Sequence, residues 1–141
     1  MLKRSVTIFL GLFVVVVVAQ SQQAQPTSKT TPPVEFKVPP EAAQKPNPIK
    51  PTAEGMARAR KLYGMDCAVC HGAKGDGKGD IADGLKNVTD FTNPEAMKSL
   101  TDGELFYMIR KGKGDMPPED TRAKDDDIWN LVNYTRAMAK K

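Results

Sequence analysis

Cys67-Ala68-Val69-Cys70-His71 is the stretch from which the rest of the chain is read. A C-x-x-C-H run is the attachment signature of a c-type haem. The chemistry needs this spacing. Two thiols three residues apart lie on one face of a helical turn, where each can add to one vinyl group of the same haem. His71 comes four residues after Cys67, one turn on, and can bring a ring nitrogen to the iron from that side. Haem iron held by a proximal histidine can take a methionine on its other face.

Three other readings compete for these five residues. A structural zinc site wants about four Cys and His ligands, and the chain holds two Cys and one His in all. A thioredoxin-like dithiol belongs beside a βαβ pattern, and no strand pattern flanks the run. A plain disulfide between Cys67 and Cys70 suits an exported protein but leaves His71 without a role.

The 141 residues are enough for one ordinary domain. The formal charge of +4 comes from the first 51 residues, with six basic and two acidic groups; residues 52–141 carry fifteen of each. A nucleic-acid-binding domain shows a basic stripe. None stands out, so nucleic acid is not expected as a partner.

Lys3 and Arg4 precede an apolar run from Val6 to Ala19, broken only by Thr7 and Gly11. The run is shorter than the roughly 20 residues of a spanning helix and suits the core of a signal peptide. Residues 1–19 are therefore read as a signal peptide, or else as an N-terminal anchor tethering the chain through residues 6–19. Either way the domain is exported, periplasmic or membrane-anchored facing the periplasm. Residues 20–51 hold eight of the eleven prolines and too little apolar surface to offset chain entropy. They are expected to form a disordered leader or linker, with Val34–Val38 a candidate short strand.

Residues 52–141 carry helical periodicity. Thr52 caps a helix from about Ala53 to Gly64, whose face is Met56, Ala59, Leu62 and Tyr63. The Gly-rich loop 71–79 nearly matches a phosphate-binding loop. It fails at Gly79, where Ser or Thr is needed, and Lys78 spoils a calcium loop. Pro94 opens a short helix. Thr101 and Glu104 form a capping box for a helix that stops at Gly112. Met116 stands on a rigid turn before Pro117-Pro118. Arg110, Lys111 and Lys113 beside that turn make a local basic patch. A last helix starts near Asp125 with Ile128, Leu131, Val132 and Thr135 as its inner stripe.

Together these residues resemble the class I monohaem cytochromes c, over about residues 52–141. The resemblance implies an all-α fold of three to four helices wrapped around one covalently bound haem c. It implies thioether bonds at Cys67 and Cys70, His71 as proximal iron ligand and Met116 as distal ligand. It sets Ala59 and Tyr63 of the first helix across from Leu131 and Tyr134 of the last. Ala59 stands where the family often has Gly, and Lys124 where a capping Ser or Asp is common. His71 is the only His, which excludes two histidine ligands from one chain. Among the methionines, Met56 and Met108 sit on apolar helix faces, Met65 is too near the C-x-x-C-H run, and Met97 remains an alternative to Met116. The implied function is single-electron transfer between redox proteins, a dehydrogenase, reductase or terminal oxidase, with no enzymatic activity. The alternative is a haem domain with an open or labile sixth site, acting as a sensor or as a subunit of a larger dehydrogenase or oxidase.

Overall fold

The computed structural model describes residues 36–139. The expected signal segment 1–19 and leader residues 20–35 lie outside the described residues. Those described are all-α: α1 (Pro40–Ala43), α2 (Ala53–Leu62), α3 (Ala68–His71), α4 (Pro94–Lys98), α5 (Asp102–Lys111) and α6 (Asp125–Met138). A wide π turn, Tyr63–Cys67, joins α2 to α3, and a short 3-10 turn covers Ala82–Gly84.

Local chemistry sets the ends of the long helices. The Thr52 hydroxyl accepts from the Gly55 N–H at 3.1 Å and starts α2. At α5 the capping box closes both ways, with Glu104 N–H to Thr101 Oγ1 at 3.1 Å and Thr101 N–H to Glu104 Oε2 at 2.7 Å. Asn93 caps α4, whose first residue is Pro94. No side chain caps α6 at Lys124. Instead Asp125, Asp126 and Asp127 occupy its positive first turn, and the Arg110 guanidinium holds Asp125.

The expected stripe of α6 is buried: Ile128, Leu131, Val132 and Thr135. So are Trp129 and Asn130, which makes the helix buried on more than one face. α2 packs on it, and the approach is close at Gly55, where a Cβ would lie 2.3 Å from the Asn130 side-chain oxygen. The small residue picked out by resemblance, Ala59, is buried one turn further on. Phe106 of α5 stacks on Trp129, ring centres 4.1 Å apart. Arg136 ties α6 to α5 through Asp102 at 2.8 Å, and to the end of α4 through the carbonyls of Met97 and Leu100.

Residues 36–51, whose composition suggests part of a disordered leader, lie against these helices. The reason is hydrogen bonding more than apolar area. Asn47 Nδ2 donates to the Trp129 carbonyl and to Asn133 Oδ1, both at 3.1 Å. Asn133 returns a bond to the Ile49 carbonyl at 2.9 Å, and Ile49 packs on the core. The Lys45 ammonium sits 5.6 Å from the Phe106 ring centre and 5.7 Å from that of Trp129. Residues 36–38 form no strand; Phe36 instead meets Tyr107, ring centres 6.0 Å apart.

α1 touches α5 where only glycine fits. A Cβ on Gly103 would stand 2.0 Å from the Ala42 carbonyl oxygen. In an isolated helix Gly→Ala gains up to about 1 kcal/mol. Here overcrowding, about 1–3 kcal/mol, outweighs it. Gly103→Ala is expected to lower stability and to speed proteolysis within residues 40–51. Unchanged cleavage together with a raised urea midpoint would mean that these residues do not pack on α5.

Candidate functional site

The helical backbone runs from Ala53 through the π turn to His71, so the C-x-x-C-H run is carried on the end of the first long helix. π turns often mark functional sites, because one extra residue re-aims the side chains beyond it. Tyr63, buried, donates from its hydroxyl to the Gly72 carbonyl at 2.7 Å and fixes the end of α3. Burial holds the Tyr63 phenol well above its usual range, so the donor keeps its proton.

The Gly-rich loop then folds back over the same turn. Gly77 N–H donates to the His71 carbonyl at 2.9 Å, and Gly79 N–H to that of Cys70 at 3.1 Å. A Cβ on Gly79 would lie 2.6 Å from the Cys70 carbonyl carbon, which accounts for glycine at this position. The loop's role is close cover of α3, and its likeness to a phosphate-binding loop has no further use.

His71 is held by two contacts. Its Nδ1 lies 3.1 Å from the Thr89 carbonyl, and Phe91 stacks on its ring at 4.4 Å. A carbonyl can only accept, so Nδ1 carries the proton and Nε2 keeps a free lone pair. Burial holds the imidazole below its ordinary pKa, with the Thr89 carbonyl opposing in part. Such a ring, neutral and oriented through its other nitrogen, is the form that binds a metal.

Met116 reaches the same crevice from a separate segment. Gly112 ends α5 at a φ of 75°, a conformation that costs a side chain. Lys113 and Met116 then exchange both backbone bonds at 3.0 Å across a tight turn. After Pro117-Pro118 the chain is caught again, with Glu119 N–H on the Ile109 carbonyl at 2.9 Å. Arg110 braces the loop from there to α6, donating to the carbonyls of Glu119, Asp120 and Ala123 at 2.8–3.0 Å.

Cys67, Cys70, His71 and Met116 all line one crevice of about 860 Å3, its open mouth included. Its apolar wall comes from Leu85, Val88, Leu100, Met108, Ile109 and Pro117. Ile109 lines the crevice. Tyr63, Phe91, Leu105 and Leu131 are buried in the core cluster instead. Leu85 and Val88 sit in an irregular segment, where no period could have marked them. Of the methionines, Met108 and Met116 reach the crevice; Met97 is buried in the core cluster, and Met65 is exposed.

Burial, then the negative charges of Glu119 and Asp66, push the Cys67 thiol up to about 12. A thiol so held is a poor thiolate, which counts against a redox dithiol. Glu119, five per cent exposed, also faces this crevice. The sequence groups Arg110 with Lys111 and Lys113 as one basic patch, but its guanidinium is turned inward on the loop carbonyls. Lys111 pairs with Asp120 at 3.2 Å, and Lys113 lies 5.9 Å from the Phe36 ring centre.

The residues fit a haem c. Two thiols, a neutral imidazole with Nε2 free, a thioether and an apolar wall share one slot. The donor set is the soft and borderline one that haem iron takes.

Known proteins agree on the fold. In solved structures, the c-type cytochrome KustC0563 aligns with a TM-score of 0.52 at 26% identity, over 57% of this chain and 95% of that one. A chain of the reducing HAO-like protein complex of Kuenenia stuttgartiensis aligns at 0.55 and 23% identity, over 64% of this chain and 46% of that one. In sequence, cytochrome c6 of Cladophora glomerata is 33% identical over 88 residues, 62% of this chain and 92% of that protein. The family model described as cytochrome c oxidase, cbb3-type, subunit III matches residues 54–134, which span α2 through most of α6. By that match, over more than half of its residues, the chain belongs to this family of cytochrome c domains.

Proposed function

We propose that the protein is a monohaem electron carrier, with one haem c joined to Cys67 and Cys70 and its iron held between His71 and Met116. The observation that carries this reading is the convergence of these four side chains on one crevice from two separate segments. The haem supplies a one-electron couple. The chain supplies its orientation, through the Thr89 carbonyl and Phe91 on His71, and its low-dielectric surroundings, which tune the potential. His71 and Met116 would together hold the iron and would leave it no site for a substrate, so the reading is of a carrier rather than an enzyme.

The partners are redox proteins. Met65, Val69 and Ile81 are exposed apolar side chains on and beside the C-x-x-C-H turn, and Ile81 N–H bonds the Val69 carbonyl at 3.2 Å. Such a surface suits the small, transient contacts of electron transfer, below about 1,200 Å2. The net neutral charge of residues 52–141 favours moderate rather than strong salt dependence. The apolar run 6–19 supports export to the periplasm, with or without anchoring. No helix among the described residues is long and apolar enough to cross a membrane.

A second reading, a haem subunit of a larger oxidase or dehydrogenase, is favoured by the match of residues 54–134 to the cbb3-type oxidase subunit III family. The mass and visible spectrum of the exported protein test the first. One haem mass retained after acidified organic solvent, and a reduced spectrum unmoved by carbon monoxide, are expected. Extractable haem would refute covalent attachment, and a carbon monoxide shift would refute a closed sixth site. Co-purification with a larger complex would favour the second reading.

A further inference from the structure

Glu119 is the buried carboxyl among the described residues. It is five per cent exposed, it lines the crevice, and its two oxygens differ. Oε1 is paired with the Arg122 guanidinium. Oε2 is buried with no hydrogen-bond partner. An ionised oxygen left so is costly, because burial removes water and nothing replaces it. The backbone offers the side chain no escape. Glu119 is pinned by its N–H on Ile109 and its carbonyl on Arg110, with Pro117-Pro118 stiffening the approach.

We infer that Glu119 is a redox-linked proton site, whose carboxyl takes up a proton at Oε2 when the iron is reduced and releases it when the iron is oxidised. The inference rests on the haem reading above. The step balances: one electron arrives from a one-electron donor, an electrode or a redox protein, and one proton arrives from solvent to form the O–H bond at Oε2. Oxidation reverses both. The coupling comes from charge. Oxidation adds one positive charge to the crevice that Glu119 faces, and in a low-dielectric site that charge favours the carboxylate. The proton is therefore held more tightly with the iron reduced than with it oxidised.

Every charged group around Glu119 enters the balance. Arg122 on its own loop and Arg110 of α5 favour the ionised form; Asp66 of the π turn opposes it. Arg122 is shared, since it also pairs with Asp66 at 3.6 Å. Cys67 faces Glu119 from the π turn and, as a thioether in the haem-loaded protein, brings no charge. Lys86, Lys113 and Asp115 line the same crevice. Burial is the largest influence and holds the Glu119 carboxyl above the usual range. The window of coupled uptake thus lies above that of a free glutamate, about pH 4.3. Arg122 is half exposed, which places the carboxyl one side chain from bulk water.

The test is the midpoint potential of the haem-loaded protein as a function of pH, for wild type, Glu119→Gln and Asp66→Asn. In wild type the redox equilibrium is expected to shift towards oxidation as pH rises through the window. The limit is tenfold per pH unit, about 59 mV. Gln keeps the shape and cannot ionise, so E119Q should be flat across the window and stay at the wild-type acid value. D66N should keep the slope and move its window down, because a neighbouring negative charge is gone. Redox-difference infrared spectra give an independent readout. A protonated-carboxyl C=O band should appear on reduction of wild type and be missing in E119Q. A wild-type potential flat with pH, or a slope that survives E119Q, overturns the inference while leaving the haem reading intact. A chain that carries no covalent haem overturns both.

Discussion

A Cys67→Ala/Cys70→Ala protein is expected to lose its haem and, with it, most of its helix content. The crevice between α3, the 85–89 segment and the Met116 turn is walled by Leu85, Val88, Leu100, Met108, Ile109 and Pro117. Without haem these side chains face one another across space they cannot close, because Met116 is held back by its own turn and α5 by its caps. Leaving such apolar volume empty costs about 24 cal/mol per Å3 in small engineered cavities. Over the roughly 120 Å3 of the crevice that water can enter, that is a loss on the order of 3 kcal/mol, a large part of the whole stability of a small domain. A group that binds only the native state pulls folding towards it, and covalent attachment keeps it from leaving. Far-UV circular dichroism of the haem-free double variant decides the matter. Near-native ellipticity with a cooperative melt would mean that α2, α5, α6 and the residues 36–51 lying on them suffice, and that the haem is a passenger.

The second large effect is expected at Met116, the proposed distal ligand. Met116→Ala should open the sixth position. The reduced protein should then bind carbon monoxide, and the potential should drop by on the order of 0.1 V, within the roughly 0.8 V that axial ligands span. Met108 is the control, because it shares the crevice. Met108→Ala is expected to keep the closed-site spectrum and lose only packing. Met97→Ala should do the same with a larger loss of stability, about 2–5 kcal/mol, since Met97 is buried in the core cluster. If M108A rather than M116A gains carbon monoxide binding, the ligand assignment passes to α5.

These two variants stand apart because of how the site is put together. One half, Cys67 to His71, is five consecutive residues whose mutual placement a helical turn already sets. The other half is a methionine 45 positions beyond His71 in the sequence, and three devices place it: glycine at Gly112, the Lys113–Met116 turn and Arg110 beneath the loop. Any of these could fail without disturbing the first half. A substitution at Arg110 is therefore expected to act on the Met116 side of the crevice, through the loop it braces, rather than as the loss of a surface charge.

The sequence by itself determined the parts whose physics is local. The attachment run, the Thr52 cap, the Thr101–Glu104 box, the inner stripe of α6 and the all-α class depend on spacings of a few residues, and one chain displays them directly. The tertiary structure alone decided what depends on distant partners. Residues 36–51 look too polar to fold, yet Asn47 and Lys45 find their partners on Trp129, Asn133 and Phe106, more than fifty positions away. Gly55 reads as a weak spot in a helix until Asn130 is seen against it. The crevice wall drew on Leu85 and Val88, which no period marks because the backbone there is irregular. Glu119 reads as one more surface acid among fifteen; its burial comes from Ile109, Arg110 and Arg122 acting together. Short-range order is set by backbone geometry and is visible in any window of sequence. Burial and charge environment are sums over the whole fold, and they exist only once it has closed.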